Sequence, residues 1–390
     1  MKKIAFFNIP AHGHTNPTLN VVRALVDQGI QIRYYSFEPM REKIEETGAD
    51  FISCEKWNAE FSLKEKDRDK IGKDLFFSSK LLIDTTLSMD EAILSEMKEW
   101  KPDCIVADSM AVWGKAIAKK LAIPFVSSTT TFAFNKESAK LMNQGIGTVF
   151  SGIVAGIRVG KYLKPLQVKG YPFKTILDLI QNDNDTRTIV YTSSFFQPES
   201  QTFSDCYAFV GPSIRPVKER MEKRAQKRVY ISMGTVRNNY RTFYENCIEA
   251  LKEEKDLEVI LSVGGEIEPE SFGKIPDHIR ILKHVDQIGV LEEADAFLTH
   301  CGMNSASEGL YFGVPLITHP ITQEQGAVAK RSEMLGAGLR LDEEDKKSIQ
   351  KAVREVLEKD SYREAAETIR ESFLAAGGTK KAVEHILSAR

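Results

Sequence analysis

The feature that most constrains this chain is a rhythm in which short apolar, β-type runs alternate with stretches of helical periodicity. In the first half KKIAFFNI, QIRYYSF and DFISC are separated by helical patterns over residues 18–27 and near 40–47. DCIVAD, PFVSSTT and TIVYTSS continue the series, with a helical stretch over 111–120, and YAFVG closes it at Gly211. Strands alternating with helices form βαβ units, whose strands run parallel in one sheet.

The next stretch, PSIRPVKERMEKRAQK, is proline-bearing, charged and poor in apolar residues, the composition of a connector between domains. A second series follows in RVYISMGT, EVILSVGG, IRILKHV, AFLTHCG and PLITHP. A chain of 390 residues exceeds what one core ordinarily supports. The expectation is an α/β protein of two Rossmann-like, doubly wound parallel-sheet domains facing across a cleft. Their bounds are 1–215 and 228–370, with a linker over 216–227 and a helical C-terminal segment over 371–390. No short repeat or low-complexity tract points to a solenoid.

Composition removes several function classes. The 53 basic and 55 acidic residues leave a net charge of −2, so the cationic excess of a nucleic-acid binder is missing. Cys54, Cys104, Cys206, Cys247 and Cys301 are scattered and form no CxxC pair, which disfavours a disulfide framework or a zinc cluster. Asn8, Pro10 and His12 interrupt the first apolar run too early for a secretory signal, and no stretch of about 18 apolar residues suggests membrane insertion. A cytoplasmic protein with no metal and no cofactor is the expectation.

In doubly wound sheets ligands bind outside the carboxyl ends of the strands. The densest chemistry at such an end is THCGMNSASEGLYFGVPLITHPITQEQ, residues 299–325. Asn304 and Ser305 are capping types before a helix whose N-terminus favours an anion. Gly302 lets a diphosphate approach without a Cβ in the way, and His300 can add a hydrogen bond. Glu308 follows Asn304 by one turn, where its carboxylate could accept from both hydroxyls of a ribose. Glu324 and Gln325 suit the paired hydroxyls of a hexose. The plainer alternative is that Asn304 and Ser305 only cap the helix, that Glu308 is solvated and that His300 is satisfied within its loop.

The first strand is followed by PAHGHTNPTLNVVRAL, where Asn16 reads as an N-cap and Pro17 as the first helical residue, leaving His12 and His14 in the preceding loop. An imidazole there is the natural general base for a hydroxyl. Asp108, ending DCIVAD on a strand expected beside the first, could orient it as the aspartate of a triad does. A strand-end Asp is also commonly a helix cap. Between 135 and 187 periodicity weakens, and Met142, Phe150, Tyr162 and Phe173 mix with glycines as in loops lining an apolar pocket.

The region from Lys283 to Gln325 resembles the donor signature of the UDP-glycosyltransferase superfamily, in its bacterial macrolide-type and natural-product branch (family 1, GT-B fold), and the similarity extends over nearly the whole chain. The resemblance implies that His300, Gly302, Asn304 and Ser305 hold a diphosphate, Glu308 the ribose, and Glu324 with Gln325 the sugar. Ser232 and Thr235 in ISMGT fit the same pattern. His284-Val285-Asp286-Gln287 stands where relatives often carry an aromatic-X-Pro-Gln element. There His284 could stack on uracil or thymine while the Val285 backbone pairs with the base edge. The Gly-His base maps onto His14 and its partner onto Asp108, and the last helix is expected to cross back to the first domain. The implied activity is metal-independent, inverting transfer, with glucose the expected sugar, to a hydroxyl of a small apolar phenolic, flavonoid or macrolide acceptor. A UDP-sugar epimerase or hydrolase on the same fold, and a non-catalytic nucleotide-sugar-binding partner protein, are the alternatives.

Overall fold

The computed structural model describes residues 2–58, 74–139, 160–171, 173–175, 178–179, 182–222, 225–234 and 240–389. The chain divides into two compact units, Met1–Ser213 with Ala376–Arg390, and Ile214–Ala375. Among the described residues no helix is long and apolar enough to cross a membrane.

The first unit is built on seven parallel strands: β1 (Lys3–Phe7), β2 (Gln31–Ser36), β3 (Asp50–Ser53), β4 (Cys104–Asp108), β5 (Phe125–Thr129), β6 (Thr188–Val190) and β7 (Tyr207–Phe209). Their order is β3-β2-β1-β4-β5-β6-β7. Alternation decides which face each side chain serves. Ala5, Phe7, Ile105 and Ala107 enter one apolar core, while Ile4, Phe6, Cys104 and Val106 enter another. A parallel sheet covered on both faces explains why these strands read as nearly continuous apolar runs.

Helices α1 (His12–Asp27), α2 (Arg41–Glu45), α3 (Leu75–Trp100) and α4 (Val112–Leu121) belong to this unit. The long α3 is not evident from sequence. Asp74 caps it by accepting from Phe77 N at 3.0 Å, and Lys101, left-handed at φ 54°, ends it. Its Ile83, Met89, Ile93 and Met97 all enter the first core. Phe173, expected in a pocket-lining loop, is 1% exposed and joins that core too, while Tyr162 is surface-exposed with an edge against Phe76. Met142 and Phe150 lie outside the described residues.

The second unit holds β8 (Lys227–Ser232), β9 (Leu257–Ser262), β10 (Ile279–Leu282), β11 (Ala296–Thr299), β12 (Leu316–Thr318) and β13 (Gly338–Arg340), a six-stranded parallel sheet ordered β10-β9-β8-β11-β12-β13. The three-residue β13 has one apolar side chain, Leu339 between Gly338 and Arg340, and so no apolar run to announce it in sequence. Its helices are α5 (Arg241–Leu251), α6 (Gln287–Leu291), α7 (Met303–Tyr311), α8 (Gln323–Met334), α9 (Lys346–Glu358) and α10 (Asp360–Ala375).

Gly377 and Gly378, with φ of 97° and 58°, break the helical run after α10 in a conformation that favours glycine. The chain therefore changes unit at Ala376, within the 371–390 segment that sequence alone presents as one helix. The last helix, α11 (Gly378–Leu387), places Ala382, Val383 and Ile386 in the core of Ile4 and Phe6. It is tied to β7 and the residue after it by Lys381 Nζ on Phe209 O (3.0 Å) and Gly378 N on Val210 O (2.8 Å).

Candidate functional site

Both sheets reverse strand order once, between β1 and β4 and between β8 and β11. At such a switch the loops leave in opposite directions and open a crevice at the strand ends. The chemistry-bearing residues gather at these two places.

At the first switch β1 pairs with β4, Phe7 opposite Ala107, and Asp108 pairs with Ser128 of β5. His14 Nδ1 lies 2.9 Å from Asp108 Oδ2, and the Asp108 side chain is wholly buried while His14 keeps 21% exposure. A carboxylate only accepts, so this contact places the proton on Nδ1 and leaves Nε2 with a lone pair in the neutral ring. The other carboxylate oxygen accepts from Met110 N at 2.8 Å. Thr130 Oγ1, just past β5, lies 3.1 Å from the same His14 nitrogen. Sequence reasoning misses Thr130, although its place at the end of the strand beside β4 is the signal that could find it.

The structure corrects the start of α1. The helix begins at His12 with Ala11 as an N-cap lacking a side-chain bond, and Pro17 lies inside it. His12 and His14 thus sit in the first helical turn, not in a loop. A buried donor chain supports this turn around the proline. Asn8 Nδ2 donates to His14 O (3.0 Å) and to Tyr34 Oη (2.9 Å). Tyr34 Oη meets Thr18 Oγ1 at 2.8 Å, and Thr18 Oγ1 donates to Thr15 O at 2.8 Å. Burial pushes the Tyr34 phenol up to about 12, so it stays a donor. His12 is an exposed residue whose ring is partly desolvated 3.4 Å from Lys43 Nζ, and that desolvation together with the charge lowers its pKa.

At the second switch Ser232 ends β8 opposite Thr299 of β11. His300 follows, wedged between two glycines: a Cβ on Gly234 would lie 2.4 Å from its ring, and one on Gly302 would lie 2.6 Å from Nε2. The missing side chain of Gly302 therefore makes room for the imidazole, where the sequence pattern alone suggests room for a diphosphate. Burial pulls His300 down to about 4, against a hydrogen bond with the Ser232 backbone, so the ring is neutral at pH 7. Its Nδ1 is buried with no hydrogen-bond partner among the described residues. Thr235 lies outside the described residues.

Helix α7 starts at Met303 with Gly302 as N-cap, no capping side chain and no acid in the first turn. Asn304 and Ser305 are thus inside the helix, a shift from their expected capping place, and the positive end of the dipole is left without an intrinsic anion. Ser305, Glu308 and Gln287 come together. Gln287 Nε2 donates to Glu308 Oε2 at 2.5 Å and reaches Ser305 Oγ at 3.5 Å, while Tyr230 Oη donates to Gln287 Oε1 at 3.1 Å. Desolvation raises the Glu308 pKa, opposed by the Gln287 bond. Glu308 is therefore a held, half-buried carboxylate, not a solvated one.

His284 is exposed beside Gly265, whose added Cβ would stand 3.6 Å from Nε2, and Val285 is half-buried. Glu324 and Gln325 open α8. Gln325 Oε1 accepts from Ile321 N (2.9 Å) and Thr322 N (3.1 Å) and completes a capping box with Thr322. Its carbonyl is thus committed to the backbone, leaving the amide end as the part able to meet a ligand. Among the described residues no group of three or more His, Cys, Asp or Glu could hold a metal ion. The five cysteines are free thiols.

Residues 247–388 match the family described as erythromycin biosynthesis protein CIII-like, C-terminal domain. An uncharacterized UDP-glucosyltransferase of Bacillus subtilis, YojK, is 33% identical across 100% of this chain and 98% of its own length. The NDP-glycosyltransferase YjiC of Bacillus licheniformis is 32% identical across 99% of this chain and 97% of its own. The fold matches the crystal structure of the kitacinnamycin glycosyltransferase with a TM-score of 0.82 at 24% identity, covering 98% of this chain and 97% of that one.

Proposed function

This chain belongs to the bacterial natural-product branch of the UDP-glycosyltransferase superfamily, and from that premise we propose that it moves a sugar, glucose first among candidates, from a UDP-sugar to a hydroxyl of a small apolar acceptor with inversion. The observation that carries the mechanism is the 2.9 Å contact of His14 Nδ1 with buried Asp108. His14 Nε2 takes the proton of the acceptor hydroxyl as its oxygen bonds to the anomeric carbon. The bond from that carbon to the diphosphate oxygen breaks, and UDP leaves with the electron pair. Asp108 stabilises the imidazolium and fixes the ring, and Thr130 holds the same nitrogen.

On the donor side the N-terminus of α7 faces the diphosphate with its dipole, joined by neutral His300 and, by the ISMGT pattern, by Ser232 and Thr235. Glu308, aimed by Gln287, accepts from the ribose hydroxyls. Glu324 and the free amide end of Gln325 read the sugar, and His284 with the Val285 backbone meets the base. In this reading no metal and no cofactor is needed, because fixed dipoles meet the charge that builds on the leaving group.

The test is mass spectrometry of products from UDP-glucose and a panel of phenolic acceptors, in EDTA, with UDP release followed in parallel. Wild type should form a hexose adduct, and His14→Ala and Asp108→Asn should slow it by about 10²- to 10⁴-fold, the span of general-base catalysis, with unchanged melting curves. Full activity in His14→Ala would sink the assignment of the base. Release of UDP without adduct would favour a hydrolase or epimerase, and UDP binding without turnover on any acceptor would favour a non-catalytic binding protein.

A further inference from the structure

We propose that Asp286 is a positioning residue for ribose recognition: it clamps residues 215–219, where the chain has just entered the second unit, onto α6 and so fixes the aim of Gln287 at Glu308. The inference rests on the reading of Gln287 and Glu308 as the ribose-binding pair.

Asp286 is the N-cap residue of α6, where an aspartate ordinarily accepts from its own helix, yet it makes no such bond. Both of its oxygens go elsewhere. Oδ2 accepts from Lys218 N at 2.7 Å and Glu219 N at 2.8 Å, and Oδ1 pairs with Arg215 Nη2. The side chain is only 7% exposed. Desolvation pushes its pKa up, but Arg215 and the two backbone N–H groups outweigh that and hold it below the usual aspartate value. Asp286 is thus a charged anchor.

A second observation concerns the same contact. A Cβ on Gly289 would lie 1.9 Å from Glu219 O, so the 215–219 segment runs directly against the backbone of α6. A helix of five residues has little rigidity of its own. The clamp supplies it on one side. On the other, Gln287, the very next residue, takes a hydrogen bond from Tyr230 and gives one to Glu308. Arg215 and Asp286 also act on the Glu308 carboxylate with opposite signs, which places the clamp electrically beside it. Loosening Asp286 frees α6 on that side and with it the aim of the Gln287 amide at Glu308.

The experiment is calorimetric titration of UDP and of 2′-deoxy-UDP into the full chain, as wild type, Asp286→Ala, Asp286→Asn and Glu308→Gln, with melting curves for each. The expected result is that Asp286→Ala weakens UDP about ten-fold, some 1.4 kcal/mol, while 2′-deoxy-UDP, which keeps only its 3′ hydroxyl for Glu308, weakens by a smaller factor, so the preference for ribose shrinks. Asp286→Asn keeps an oxygen for the backbone N–H groups and should fall between. Equal weakening of both nucleotides would mean a merely structural residue and overturn the proposal, as would unchanged UDP binding in both Asp286 variants while Glu308→Gln weakens it. If Glu308→Gln itself leaves UDP binding untouched, the reading of the ribose site fails and the positioning role fails with it.

Discussion

His300 shows what close packing does to a titratable ring. Because its folded pKa is lowered from 6.5 to about 4, only the unfolded chain takes up this proton between those values. Its contribution to stability is complete above pH about 6.5 and is lost as pH falls toward about 4, on the order of 3 kcal/mol in all. Glu308, whose folded pKa is raised, works in the opposite sense, so the comparison must be made against a variant. Denaturant unfolding of wild type and His300→Gln from pH 7 to 4 should show the wild-type advantage shrinking with acid; a constant difference would refute the assignment. At this scale residue types are legible in the sequence, and their partners only where a strand end sets both. His14 can be paired with Asp108 because β1 and β4 have to be neighbours. Thr130 and the Asn8–Tyr34–Thr18 chain stay hidden because hydroxyl and amide contacts depend on register, which no single run of sequence carries.

Elements are legible in proportion to their length and pattern. The parallel strands stand out as apolar runs, whereas β13 offers only Leu339 between a glycine and an arginine and α3 has an irregular mixture of serines and threonines among its apolar positions. The starts of α1 and α7 read too late from sequence, since Asn16 and Pro17, and Asn304 and Ser305, look like caps. Tertiary contacts move both starts toward the strand: the Asn8 network for α1, and His300 filling the space over Gly302 for α7. Altering that packing has a measurable effect. Gly302 has φ of −57°, so alanine fits its backbone, and the nearest obstacle among the described residues is the His300 ring. Gly302→Ala should destabilise by about 1–3 kcal/mol through overpacking. In Gly302→Ala combined with His300→Ala the two losses should be less than additive by urea denaturation, and strict additivity would show that the ring is not the obstacle.

For the whole molecule, the chain's path is the decisive feature: the second unit is continuous, and the first is made of its two ends. Removing residues 376–390 strips Ala382, Val383 and Ile386 from the core that holds Ile4 and Phe6. Burial of each larger side chain is worth about 1.5–3 kcal/mol, so the first unit should lose several kcal/mol. Hydrogen exchange should then speed up in β1, β2 and β4 and stay as it was in β8, β9 and β11. Unchanged protection in β1 would contradict this role for the last helix. The two parallel sheets are foreseeable from the alternation of strand and helix, and the return of the last helix from the family resemblance, but the residue at which the chain crosses is not, because the helical pattern runs on through the break at Gly377 and Gly378. The path also has a meaning in time. On the ribosome the second unit can close as soon as its own continuous stretch has emerged, whereas the first must wait, with one face of its sheet only partly covered by α1 and α2, until the final helix is released. The half of the protein that is made first is the half that is finished last.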